Sequence, residues 1–227
     1  MKNQLHYFFY LIVFITPLNS LVQDIIKLQN PSFEENPSIG YPYNSTIKSH
    51  KNEIEGWFDC GLLEFPNSTA PDIHGENTNY WDVNIIPSDG NTYLGLVIRA
   101  DESWESVSQE LDNFLIKGRC YNLSMDLCKS STYKSPVKGN FRERVSFDNS
   151  VVLSIWGGKG YCDELELLYE SEPVDNEEWY TYEISIRPSY NIKYITLQAY
   201  YIDDSEPYNG NILVDNISGL TLIECKN

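Results

Sequence analysis

The chain has 227 residues and carries 16 Lys and Arg against 33 Asp and Glu, a net charge of −17 at neutral pH. This acidic balance repels nucleic acid and anionic membrane surfaces, so we expect neither as a partner. The length suits one all-β domain, because such domains often reach about 200–250 residues.

The first twenty residues have the pattern of a secretory signal peptide. Lys2 supplies a positive start, an apolar run extends from Leu5 to Leu18, and Ser20 is a small residue suited to cleavage. The run is shorter than the roughly 20 residues of a membrane-spanning helix, and an uncleaved anchor is the alternative. Loss of Lys2 would change the net charge to about −18. We predict that residues 21–227 form one secreted or cell-surface domain without a transmembrane segment.

After Ser20, short β-rich runs alternate with Gly, Asn, Asp and Pro. Several runs alternate apolar and polar residues, which is typical of strands with one buried face. About nine strands without intervening helices predict an all-β fold, a two-sheet antiparallel sandwich. The predicted strands are Ile25–Gln29, Glu53–Phe58, Thr92–Ile98, Glu105–Leu111, Tyr121–Cys128, Val151–Trp156, Trp179–Ile186, Tyr194–Tyr201 and Ile212–Ile223, with the last broken at Gly219.

Three long stretches between these strands have no regular pattern: Asn36–Asn52, Glu64–Asn91 and Lys129–Asn149. Long ordered loops in compact domains are often functional. The second stretch is rich in aromatic and acidic residues, and the third is locally basic. The third could be a lid, an anion contact or a plain solvated loop.

Five cysteines follow the predicted cleavage site. Export permits disulfides, and an odd number leaves at least one thiol free or intermolecular. Cys128 and Cys162 flank strands that could be neighbours, as do Cys120 and Cys225. The fifth is Cys60, and buried free thiols are the alternative to any pairing.

The order of several short motifs resembles jelly-roll carbohydrate-binding modules of the galactose-binding-like superfamily. These motifs are Asn30–Glu34, Gly56-Trp57, Gly90–Gly95, Val107–Leu111 followed by Gly118–Ser124, Glu178–Tyr182 and Leu213–Ile217. A closer resemblance is to secreted Bacteroidota surface domains that accompany outer-membrane-protein-A-like or sorting domains. It rests on Pro71-Asp72, Ile155–Gly158, Cys162 and Leu165–Ser171. The resemblance implies a jelly-roll sandwich whose first and last strands meet.

The same resemblance implies a structural calcium ion held by the side chains of Glu34 and Asp215. A hard cation takes oxygen ligands, and carboxylates combined with backbone carbonyls supply them. The alternative is that Glu34 caps a turn and Asp215 accepts backbone hydrogen bonds.

The aromatic content favours a carbohydrate site. Five Trp and 17 Tyr exceed the needs of one core, and sugars bind aromatic faces flanked by amides and carboxylates. For each residue, packing is the alternative to ligand binding. The candidate ligand-binding residues are Asp72, Tyr80, Trp81, Trp104, Trp156, Tyr161, Gln198 and Tyr200.

We therefore expect an exported, non-catalytic module that binds a glycan or cell-surface polysaccharide. The alternative is a structural or adhesion module that contacts surface proteins and has no sugar site. A glycoside hydrolase ranks lower, because the acid pairs Glu164/Glu166 and Asp203/Asp204 are close in sequence. That reaction needs two carboxyl groups across a cleft, about 5–10 Å apart.

Overall fold

The computed structural model describes residues 24–35, 54–65, 70–76, 80–137, 140–202 and 206–225; for Tyr80 and the described residues within 136–142 it describes the backbone alone. The predicted signal peptide and the stretch Asn36–Asn52 lie outside these residues. No helix within the described ranges has the length and apolar character needed to cross a membrane.

The described chain forms strands, one short helix, α1 (Gly61–Glu64), and a 3-10 turn at Tyr80–Asp82. The strands are β1 (Ile25–Ile26), β2 (Phe58–Asp59), β3 (Asp72–Gly75), β4 (Thr92–Ile98), β5 (Ser106–Leu115), β6 (Cys120–Cys128), β7 (Lys134–Val137), β8 (Asn140–Ser146), β9 (Val152–Gly158), β10 (Glu166–Glu170), β11 (Tyr180–Ile186), β12 (Ile192–Tyr200), β13 (Gly210–Asp215) and β14 (Leu220–Ile223).

Two antiparallel sheets face each other and form a jelly-roll β-sandwich, which confirms the predicted fold. The seven-stranded sheet has the order β1-β14-β6-β13-β4-β3, with β11 also paired to β6. The five-stranded sheet has the order β10-β9-β12-β5-β2, and β7 pairs with β8 in a separate hairpin. As predicted, the final strand is broken, at the segment between β13 and β14.

Period-two alternation builds the main core between the sheets. On β6, Tyr121, Leu123, Met125 and Leu127 all point into this core and are at most 4% exposed. The corresponding side chains of the five-stranded sheet come from β5, β9 and β12. Because successive residues of a strand point to opposite faces, the intervening residues of that sheet point away from the core.

A second apolar cluster covers the far side of the seven-stranded sheet. Tyr93 and Val97 of β4 pack there with Tyr133 and Phe147, which flank the β7–β8 hairpin. The stretch Lys129–Asn149, expected to be irregular, is therefore largely a hairpin with its own apolar contacts. It was missed because its alternation is weak and Pro136 lies within β7.

Two disulfides cross-link the sandwich. Cys120 pairs with Cys225, as one of the two suggested pairings predicted, and Cys60 pairs with Cys162. The other suggestion, Cys128 with Cys162, is wrong, because Cys128 is a buried free thiol in the second cluster.

One turn binds both Glu34, which follows β1, and Asp215, the last residue of β13. The backbone N–H groups of Asn91 and Thr92 donate to Glu34 Oε1 at 2.7 and 2.6 Å. The N–H groups of Ser88 and Asp89 donate to Asp215 Oδ2, each at 2.9 Å. The segment Ser88–Thr92 therefore links the region after β1 to the end of β13.

Gly90 makes this turn possible. Its φ is +60°, and a Cβ atom there would lie 2.5 Å from Glu34 Cδ. Burial opposes ionisation of Glu34, but the hydrogen bonds from Asn91 and Thr92 hold the pKa of Glu34 below its usual value. The carboxylate is thus bound by the turn in its charged form.

We expect Glu34→Ala to lower the free energy of unfolding by about 1–2 kcal/mol, because it removes charge-assisted hydrogen bonds and leaves two N–H groups unpaired. Urea unfolding at neutral pH measures the change. Glu183→Ala, at an exposed acid on β11, is the matched control and should change stability by less than about 0.5 kcal/mol. Equal losses in the two variants would contradict this role of Glu34.

Candidate functional site

The face of the five-stranded sheet that points away from the main core is polar in its middle. We call it the outer face. Its residues alternate with core residues and are Ser106 and Ser108 of β5, Thr196, Gln198 and Tyr200 of β12, and Ser154 and Trp156 of β9. The serine, threonine and glutamine side chains among them are at most 2% exposed. Other segments of the chain must therefore cover them.

Two segments cover the middle of this face, and the Cys60–Cys162 disulfide joins them. One is α1, which follows Cys60, and the other is the loop 159–165 between β9 and β10. We call the two segments together the cover. The backbone N–H of Cys162 donates to Ser108 Oγ at 3.1 Å. The disulfide therefore fixes both segments over the sheet.

A chain of hydrogen bonds ties the cover to two strands. The indole N–H of Trp156 donates to Gln198 Oε1 at 2.8 Å, and Gln198 Nε2 donates to Glu164 Oε1 at 2.7 Å. Trp156 is thereby held as part of the scaffold. Two regions are left beside the cover, one next to Tyr161 and one next to Glu64.

The region next to Tyr161 is an open groove with a volume of about 630 Å³. The ring of Tyr161 is 46% exposed. It packs against Phe58 and Tyr194, with ring centroids 5.2 and 4.9 Å apart. Buried Trp57 and Leu111 also line the groove. The groove thus has an exposed aromatic ring that is fixed in place by two others.

Polar groups of the groove come mainly from β5 and β12. Glu110 and Asp112 of β5 and Lys193 of β12 line it, together with Glu55 and Gln29. Lys193 Nζ lies 3.6 Å from Glu110 Oε1 and also donates to two backbone carbonyls of β5. With three carboxylates and one lysine that is already engaged, the lining is acidic.

The region next to Glu64 contains two further acids. Burial, and then the charges of Glu164 and Asp59, raise the pKa of Glu64 to about 7. Phe65, which follows α1, packs edge to face on Trp104 at 4.8 Å, and Trp104 contacts Tyr200 at 5.1 Å. This region therefore combines carboxyl groups with aromatic rings.

The structure brings five of the predicted ligand-binding residues to the outer face, its margin or its cover. Trp156, Gln198 and Tyr200 lie on the face, Trp104 lies at its margin and packs partly on the main core, and Tyr161 belongs to the cover. Tyr161 and Tyr200 are the exposed members of this group.

The other three predicted ligand-binding residues lie elsewhere. Asp72 is a buried residue of β3, and its carboxylate accepts a hydrogen bond from the hydroxyl of Tyr133. Trp81 packs on the second cluster, with the guanidinium of Arg144 5.0 Å from its ring. Tyr80 begins the 3-10 turn, and its side chain is outside the described part. Asp72 and Trp81 therefore lie at the seven-stranded sheet, apart from Trp156 on the outer face.

The sequence did not single out Glu64, Glu110 or Lys193 as site residues. Glu110 lies within the predicted strand Glu105–Leu111, whose alternation could have placed it on the outer face, and Lys193 lies just before the predicted strand Tyr194–Tyr201. No local signal marks Glu64, because its position depends on the Cys60–Cys162 disulfide.

The carboxylates of Glu34 and Asp215 bind the Ser88–Thr92 turn directly, which is the alternative to a shared calcium ion. Their oxygens already accept hydrogen bonds from backbone and side-chain donors of the Ser88–Thr92 turn and from the N–H of Asn216. In the described ranges, no group of three or more His, Cys, Asp or Glu side chains could hold a metal ion.

We therefore expect the melting temperature to be the same, within about 1 °C, in calcium and in excess EDTA, because no hydrogen-bonded oxygen is released by chelation. Differential scanning calorimetry measures it. A drop of several degrees in EDTA that calcium reverses would restore the calcium site implied by the family resemblance.

Buried acids also gather where β2 and β3 approach Arg99. Arg99 forms a buried ion pair with Glu105. Burial raises the pKa of Asp59 and of Asp72 to about 6, although the charge of Arg99 opposes both shifts. Burial likewise raises the pKa of Asp215, to about 7, against three backbone hydrogen bonds. The native state therefore retains protons that the unfolded chain releases near its ordinary acid pKa values.

Asp59, Asp72 and Asp215, whose pKa values are raised, stabilise the native state fully below about pH 4. This contribution to stability is lost as pH rises through about 6–7. Glu34 and Asp126, whose pKa values are lowered by hydrogen bonds that outweigh burial, lose their contribution as pH falls below about 4.

We expect a higher melting temperature near pH 5 than near pH 8. Asp72→Asn should reduce the difference, and a melting temperature that rises steadily from pH 5 to pH 8 would contradict this account.

Comparisons with known proteins agree on the fold. No family model matches the chain, and no curated protein matches it. A Stig cyclase from Fischerella sp. TAU, solved with a pyrrolidinylidene-indole compound, is 14% identical with a TM-score of 0.52. The match covers 90% of this chain and 100% of the cyclase. At this identity the likeness shows a shared β-sandwich and carries nothing about ligands.

Two further solved structures are similar at lower scores. The CBM22-1 xylan-binding domain of Paenibacillus barcinonensis Xyn10C is 13% identical with a TM-score of 0.44, covering 90% of this chain and 97% of that domain. The K2 cleaved adhesin domain of Lys-gingipain is 7% identical with a TM-score of 0.45, covering 90% and 99%. Both scores are too low to bear on function.

Proposed function

We propose that this chain is an extracellular, non-catalytic module that binds a glycan in the groove beside Tyr161. The observation that carries the proposal is the exposed Tyr161 ring, which Phe58 and Tyr194 hold in place. A fixed aromatic ring can pack against the C–H face of a sugar without losing side-chain freedom on binding. The groove volume also lies within the range of about 300–1,000 Å³ that is typical of ligand sites.

The polar lining supplies hydrogen bonds for sugar hydroxyls. Glu110 and Asp112 can accept hydrogen bonds from sugar hydroxyls beside the ring, whereas Lys193 is already engaged by Glu110 and by two backbone carbonyls. The surplus of carboxylates repels uronic or sulfated chains. We therefore expect uncharged or positively charged polysaccharides as ligands.

Export and attachment outside the cell accord with the two disulfides, which persist in oxidising compartments. The fixed ring of Tyr161 and the engaged Lys193 are suited to binding a ligand and do not require a chemical reaction. A structural or adhesion module with protein partners is the competing function, and a binding experiment separates the two.

We expect Tyr161→Ala to weaken polysaccharide binding about tenfold, since losing one stacked ring corresponds to about 1.4 kcal/mol. Affinity gel electrophoresis on neutral, amino-bearing and uronic polysaccharides measures retention. Tyr180→Ala is the matched control, because Tyr180 is 67% exposed and lies on β11 of the other sheet.

Two outcomes would overturn the proposal. One is the absence of retention on every polysaccharide, which together with a protein partner in a pull-down would favour adhesion. The other is equal loss of retention in Tyr161→Ala and Tyr180→Ala, which would place the binding surface elsewhere.

A further inference from the structure

The region beside α1 contains hydrogen-bonding atoms that lack partners among the described residues. Ser106 is 1% exposed, and its Oγ atom bonds to no atom of the described residues. The same holds for Glu64 Oε2 and for Trp104 Nε1, both of which are shielded from solvent. We call these three residues, with Asp59 and Glu164, the Glu64 niche.

Backbone contacts bring the niche together. The N–H of Cys60 donates to Ser106 O at 3.0 Å, which ties the start of α1 to β5. Ser106 also faces Gln198 on β12, the residue whose amide binds Glu164. Glu64 and Phe65 complete the niche at the other end of α1, against Trp104. The unpartnered atoms therefore belong to one small neighbourhood of the fold.

Unpartnered polar atoms in a protein interior are costly. Each buried donor or acceptor without a partner costs about 1–3 kcal/mol, and most such groups in native proteins bind protein or ordered molecules. A small polar molecule that bonded to Ser106, Glu64 and Trp104 would remove this cost. The niche is thus suited to a ligand with several polar groups close together.

The types of atom define that ligand. An indole N–H can only donate, a hydroxyl both donates and accepts, and an ionised carboxylate only accepts. The ligand therefore needs an acceptor for Trp104, a hydroxyl for Ser106 and a strong donor for Glu64. A carbon chain with a hydroxyl beside an ammonium group meets all three needs.

Charge favours the ammonium group as the donor. Glu164 and Asp59 both raise the pKa of Glu64, so they lie close enough for their charges to act on it. Asp59 is buried, Glu64 is half-buried and Glu164 is exposed, and three neighbouring carboxyl groups favour a positively charged partner. The rings of Phe65, Trp104 and Tyr200 lie alongside, and aromatic faces attract ammonium groups.

We propose that the Glu64 niche binds the protonated amine of an amino sugar, with the amine on Glu64 and an adjacent hydroxyl on Ser106 and Trp104. The site is separate from the groove and does not depend on glycan binding there. Because the polar atoms of Ser106, Glu64 and Trp104 are shielded from solvent, the proposal requires Phe65 to move aside and the ligand to be a single sugar residue or a chain end.

The indole N–H signal of Trp104 in a ¹H–¹⁵N spectrum tests the proposal directly. The chain has five Trp, so Trp104→Phe identifies the signal by its loss. We expect glucosamine to shift this signal saturably at neutral pH. N-acetylglucosamine and glucose, at equal concentration and ionic strength, should leave it in place, because neither carries a charged amine.

Two variants locate the amine. Glu64→Gln should weaken the glucosamine response at least tenfold, whereas Glu183→Gln, at an exposed acid of β11, should not change it. Phe65→Ala, which opens the niche, should preserve the response or strengthen it. Tyr161→Ala should leave it unchanged, so failure of the groove and failure of the niche are distinguishable.

Three results would overturn the proposal. The first is no shift of the Trp104 signal at any glucosamine concentration up to solubility. The second is an equal shift with N-acetylglucosamine or with ammonium chloride, which would mean that the amino sugar is not recognised. The third is a response that Glu64→Gln leaves intact.

Discussion

The Cys60–Cys162 disulfide is the constraint on which the candidate sites depend. It joins the short helix after β2 to the loop after β9 and holds both over the polar outer face of the five-stranded sheet. A four-residue helix has no stability of its own, so the covalent bond and the hydrogen bond from Cys162 to Ser108 fix its place. Tyr161 and Glu64 are thereby positioned on two sides of one cross-link.

The β-sandwich could be predicted from the sequence because apolar and polar residues alternate along most of its central strands. The runs Thr92–Ile98 and Tyr121–Cys128 were predicted within one residue of β4 and β6, since each has a continuous apolar face in the main core. Two edge strands, β3 and β10, were missed. β10 alternates weakly and pairs on one side only, through a bulge between Leu167 and Tyr169. β3 was taken for a loop, because Asp72 and His74 are polar residues that nevertheless lie buried.

The sites were harder to predict because they depend on contacts between distant segments. Alternation could have placed Gln198 and Trp156 on one face of the sheet. It could not have predicted that α1 and the loop 159–165 cover that face. The first and last strands meet as predicted. The hydrogen bonds from the Ser88–Thr92 turn to Glu34 and Asp215 were not predicted, because that turn lies far from both residues in sequence. Aromatic content alone could not separate Trp81, which packs on the second cluster, from Tyr161, which lines an open groove.

The groove beside Tyr161 is the proposed glycan-binding surface of this domain. Chemical-shift mapping of the ¹⁵N-labelled protein with a polysaccharide that retains it would locate the bound ligand on the molecule. We expect the largest changes at the amides of Tyr161, Glu110, Asp112 and Lys193, with residues of β11 and the β7–β8 hairpin unchanged. Changes confined to the seven-stranded sheet or the hairpin would contradict it.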